Sequence, residues 1–79
     1  MTAVHITRNG AYAGEASCRF PYNPDAVEIV RDVPGRHWNA EDKYWTFDND
    51  EVPVAAEMFA AAGHTVFVDG QPWATTSGA

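Results

Sequence analysis

The sequence predicts an α+β fold: a two-layer sandwich with two helices packed on one face of a mostly antiparallel sheet of four or five strands, in the order ββαββαβ. Three observations carry this. Residues 3–7, 12–20, 43–47 and 64–68 read as strands, the first three with the two-residue alternation of one buried face. Two windows, 24–33 and 53–62, place apolar residues at helical spacing, with a proline near the start and a glycine beyond the end. A length of 79 residues allows one domain, taken as 1–73, with 74–79 expected to be a disordered tail.

Taken in order, Val4 and Ile6 share one face of the first strand, and Asn9-Gly10 is a strong hairpin signal. In the second run Tyr12, Gly14, Ala16, Cys18 and Phe20 share a face. A three-residue loop Arg8-Asn9-Gly10 pairs Ile6 with Tyr12 and Val4 with Gly14, keeping both apolar sets together; the alternative is a two-residue loop with a bulge at Gly14. Asn23 can cap the first helix, Pro24 suits its first position, and Asp25 meets the positive end of the dipole. Ala26, Val27, Ile29, Val30 and Val33 form its apolar stripe, and Pro34-Gly35 ends it.

His37-Trp38 is a short extended piece, followed by a polar turn over 39–42. In the next strand Trp45 and Phe47 share a face. Asp50 is the expected cap of the second helix, Pro53 falls in its first turn, and Val54, Ala55, Met58, Phe59 and Ala62 face inward. Gly63 supplies a left-handed stop. After the last strand Asp69-Gly70 turns the chain, and Trp73 is expected to fold back on the body.

Composition narrows the function. Hydrophobic content of 46%, with three Trp, three Tyr and four Phe, excludes disorder. The rings of Trp38, Trp45, Trp73, Phe20, Phe47, Phe59 and Phe67 are expected to fill a small core. Cys18 is the only cysteine, which excludes an intramolecular disulfide and fits a reducing compartment. The first residues lack a basic segment and a long apolar run, so a complete, cytoplasmic reading frame without signal peptide or membrane span is expected. Eleven acids against Arg8, Arg19, Arg31, Arg36 and Lys43 give a net charge of −6, which favours solubility and opposes general nucleic-acid binding.

Catalytic signatures are missing. His5, His37 and His64 lie on separate elements without metal-site spacing, so no metal or cofactor is expected. Asp48, Asp50 and Glu51 precede a helix, where capping and the dipole account for them. Cys18 falls on an inward face, where a thiol is inert. No nucleophile elbow or phosphate loop is present. An enzyme would require an unforeseen site joining His37, Asp48 and Cys18.

Phe20-Pro21-Tyr22-Asn23-Pro24, Val27, Ile29-Val30, Val33-Pro34-Gly35-Arg36, Trp38, Lys43, Trp45 and Phe47, with a second helix and Gly63, resemble the HARP-like module. That module occurs beside SWI/SNF-type helicase motors and in small actinobacterial and actinophage proteins. The similarity spans about residues 20–68. It implies a non-catalytic module contacting single-stranded or forked DNA through Arg36, Lys43 and Tyr44, with Arg31 adding to any basic patch. No motor domain accompanies it, so a helicase role is excluded.

The alternative is a small phage-type protein that binds a host protein, such as an ATPase, through Tyr12, Phe67 and Trp73, its acidic surface steering it to a basic partner. Oligomers could form through the edge strand at 3–7. Convergence of Arg31, Arg36 and Lys43 into one patch favours DNA; their dispersal beside an open apolar patch favours protein.

Overall fold

The computed structural model describes residues 2–73. Its elements are β1 (Ala3–Tyr12), β2 (Glu15–Arg19), α1 (Pro24–Arg31), β3 (His37–Asn39), β4 (Tyr44–Asp48), a 3-10 turn (Asn49–Glu51), α2 (Val52–Ala61), β5 (Thr65–Val68) and β6 (Gln71–Pro72). The strands form one sheet in the order β3-β4-β2-β1-β5-β6. Every pairing is antiparallel except β1 with β5, which the α2 crossover makes parallel. The α+β class is as the sequence predicts. The sixth strand is the two-residue return after Asp69-Gly70, whose φ values of 53° and 81° are those of the mirror-image turn that suits tight hairpins.

Register explains the core. Val4 lies opposite Val66 and Ile6 opposite both Val68 and Cys18, so their side chains meet on the face that the helices cover. Ala16, Phe47, Ala26, Val30, Val33, Val52, Ala55, Ala56 and Phe59 complete that interior. No helix among the described residues is long and apolar enough to cross a membrane.

Helix ends follow local chemistry. The Asn23 Oδ1 accepts from the main-chain N–H of Asp25 (2.9 Å) and Ala26 (3.2 Å), which would otherwise lack partners. Asn23→Ala should therefore lower stability by about 1 kcal/mol, read as a lower urea midpoint at unchanged slope. Val33-Pro34-Gly35-Arg36 is a tight turn with Gly35 at φ 75°, closed by Arg36 N–H donating to the Val33 carbonyl. At the end of α2, His64 N–H donates to the Phe59 carbonyl and Gly63 N–H to the Ala60 carbonyl, with Gly63 at φ 91°. This is the glycine-stopped helix end that the sequence predicts.

The strand at 3–7 is not the edge strand expected, because β1 lies between β2 and β5 and has no side left for another copy. Three further expectations fail. The first hairpin does not turn at Asn9-Gly10. Ile6 pairs with Cys18, Thr7 with Ser17, then Tyr12 with Glu15, so the turn is Ala13-Gly14 and a bulge occupies the residues between Thr7 and Tyr12. The register shifts by three residues across the bulge. An odd shift exchanges faces, so Tyr12 points away from the core and stands 64% exposed. Secondly, no side chain caps α2; Asp50 lies inside the 3-10 turn that leads into it. Thirdly, Val54 and Ala62 are exposed. The stripe of α2 is Val52, Ala55, Ala56 and Phe59, set by Val52 at the helix start.

Trp73 folds back as expected. Its Nε1–H donates to Glu57 Oε2 at 2.6 Å, and its ring packs against the core. The expected tail at 74–79 lies outside the described residues.

Candidate functional site

A six-stranded sheet is about 24 Å wide between its outer strands, whereas two helices of about 10 Å diameter cover roughly 20 Å. At eight residues, α1 is only about 12 Å long. The β3 edge is consequently left partly uncovered on the helix side. There Trp38 lies opposite Trp45, with ring centroids 5.0 Å apart and planes tilted by 54°. Trp45 is half-buried against the core, but Trp38 is 50% exposed. The sequence reading places both in the interior; Trp38 misses it because its strand is outermost.

Two neighbouring depressions share Tyr22, Val27, Trp38 and Trp45 and form one groove between α1 and the β3–β4 edge. Tyr22 is 84% exposed, just ahead of the helix cap. Val27 and Arg31 stand one helical turn apart, so both line the groove. At its other end, about 280 Å³ is bordered by Arg19, Lys43 and the Tyr44 ring. No carboxylate lines the groove among the described residues.

Lys43 is placed by the turn that joins β3 to β4. Asn39 Oδ1 accepts from Asp42 N–H at 3.0 Å, and Lys43 N–H donates to the Asn39 carbonyl at 2.7 Å, which leaves Lys43 at φ 58°. Arg19 lies opposite Tyr44 across β2 and β4, and its guanidinium carbon sits 4.5 Å from the ring centre.

The structure therefore puts Arg31 and Lys43 on the same groove, Arg31 in one depression and Lys43 in the other, but not Arg36, which is exposed on the turn before β3 and borders neither. Tyr44 is only 6% exposed and its ring is covered by Arg19, so it is not a free stacking surface. Arg19 borders the end of the groove, but its guanidinium lies over Tyr44 on the helix-free face, so it does not replace Arg36. The alternation Ser17-Cys18-Arg19 puts it on the face away from Cys18. Arg8 is elsewhere. Its main-chain N–H donates to Asp69 Oδ1 at 2.8 Å and its guanidinium to Oδ2 at 2.9 Å, which together hold the Asp69 carboxyl below its ordinary pKa.

Of the expected protein-contact residues, Tyr12 alone is open. Phe67 is half-buried and stacked on His5 at 5.1 Å, and Trp73 is engaged by Glu57. Neither a family model, nor a curated protein, nor a solved structure matches this chain.

No three potential metal ligands gather among the described residues. Cys18 faces the core, while His37, opposite Thr46, and Asp48, opposite Glu15, lie on the other side of the sheet, so these three residues do not form a common site. Burial pushes the Cys18 thiol up to about 12. An aromatic disulfide reagent at pH 8 should leave it unmodified in the folded protein and titrate one thiol in denaturant; fast native reaction would contradict the burial.

Proposed function

We propose that this protein is a non-enzymatic binding module whose aromatic groove takes single-stranded or forked DNA as an accessory contact. The observation that carries this reading is the distribution of charge. Two of five cations, Arg31 and Lys43, line one groove without an acid in it, although acids outnumber bases eleven to five overall. Tyr22 and Trp38 offer ring faces for unpaired bases, and stacking does not require sequence readout. The resemblance of residues 20–68 to the HARP-like module points the same way. A host-protein contact through Tyr12, Phe67 and Trp73 has less support, because the chain already engages two of those rings.

Two cations make a weak grip. Each phosphate contact on a single strand adds about −0.7 to the slope of log K against log salt, giving a slope of roughly −1.4. Anisotropy of labelled single-stranded and forked DNA at low salt should show micromolar binding with that slope. Trp38→Ala should weaken it by about 1–3 kcal/mol, roughly five- to 150-fold, with little loss of stability. No anisotropy change at high micromolar protein rules the reading out.

A further inference from the structure

The large exposed rings are not scattered. Among the described residues Tyr12, Tyr22 and Trp38 are the exposed aromatics of this kind, and all three border the β3 edge. Tyr22 and Trp38 belong to the cationic groove. Tyr12 lies across the edge, in a second cleft on the helix-free side, with Glu15, His37, Asn39, Glu41 and Thr46; Trp38 lines both. The bulge in β1 puts Tyr12 there, since its odd register shift carries the ring to the helix-free face beside Glu15.

The two clefts differ in charge. The first holds cations and no acid; the second holds two carboxylates and no Lys or Arg. A phosphate is thus favoured on the Tyr22 side of Trp38 and repelled on the Tyr12 side. What the second cleft can accept is a neutral group that carries N–H donors and a flat face. Carboxylates accept from the exocyclic amine of cytosine, whereas thymine presents a carbonyl at that position and would face like against like. Tyr12 supplies the ring face for stacking.

We infer that the Tyr12 cleft is a base-reading subsite of the same nucleic-acid surface, selective for an unpaired cytosine over thymine through Glu15 and Glu41. This rests on the DNA reading above. The strand's backbone lies along the cationic groove, and one base passes the Trp38 edge into the acidic cleft.

Binding of oligodeoxycytidine and oligothymidine of equal length, at pH 7.5 and low salt, tests it. The expected result is about tenfold tighter binding of the cytosine strand, within the range of a single base-edge contact. Glu15→Gln and Glu41→Gln should erode that ratio while leaving thymidine binding equal or tighter, since a repelling charge is gone. Tyr12→Ala should weaken the cytosine strand more than the thymidine strand. Circular dichroism checks that each variant folds. Equal affinity for the two strands, or a ratio indifferent to Glu15 and Glu41, overturns the inference; if Trp38→Ala still weakens binding, the groove reading stands alone. Absence of binding to either strand overturns both.

Discussion

Replacing Phe59 with alanine should cost about 4 kcal/mol and leave a protein barely folded at room temperature. The side chain is fully buried on the inner face of α2. Its ring meets Phe20 at 5.8 Å on one side and the edge of His64 at 6.2 Å on another. Its carbonyl also accepts the His64 N–H that closes the helix. Truncating a buried phenylalanine costs about 3–5 kcal/mol, from lost transfer energy and the cavity left behind. A 79-residue chain has roughly 4–12 kcal/mol in total at typical stability per residue. No disulfide compensates, because Cys18 is the only cysteine. Urea melts should show the midpoint falling steeply, and Phe59→Leu, which keeps much of the volume, should lose far less. A loss below about 1 kcal/mol for the alanine variant would mean that Phe59 is not packed in the core at the α2 interface.

The parts of this fold that were legible are those whose chemistry is local. Asn23-Pro24-Asp25 announces a helix start because the cap, the fixed φ and the dipole partner are consecutive residues. Gly63 and Asp69-Gly70 are equally plain, since each satisfies a backbone angle of its own. The first hairpin is not legible locally because its register depends on residues far along the chain. Asn9 N–H donates to Asn49 Oδ1 at 3.1 Å, Asn49 Nδ2 donates to Asn9 Oδ1 at 2.8 Å, and the same Oδ1 accepts from Gly14 N–H. This clasp holds Asn9 at φ 58° inside a bulge, where the sequence suggests a turn.

The candidate site divides in the same way. That Arg31 and Lys43 share a groove follows from α1 lying beside the β3–β4 edge, a relation that spacing along the chain does not contain. Trp38 and Trp45 are chemically alike and fall opposite each other, yet one is half-buried and the other open, because only the sheet order makes β3 outermost. Alternation does indicate that Arg19 leaves the core face. It cannot indicate that Tyr44 waits beneath it.

The bulge also makes the second large prediction, at Gly10. Its φ is not in the left-handed region, so an alanine backbone is acceptable there. Two effects then compete with opposite sign. Removing glycine's freedom in the unfolded chain would stabilise the protein by about 0.4–1 kcal/mol if space allowed. Space is missing: a Cβ at Gly10 would collide with Ser17 Oγ and would stand 2.9 Å from the Thr7 carbonyl oxygen and 3.0 Å from Thr7 Cβ. The carbonyl belongs to the backbone just before the bulge, and Ser17 is buried in the central strand β2, so neither retreats without disturbing a ladder. Overpacking of this kind costs about 1–3 kcal/mol, and Gly10→Ala should fall near the upper end in urea unfolding. Adding Ser17→Ala should recover part of the loss, because it removes the hydroxyl and leaves the carbonyl contact. A stabilised Gly10→Ala protein would show that β1 does not approach β2 so closely, and with it would go the register shift that carries Tyr12 to the acidic cleft.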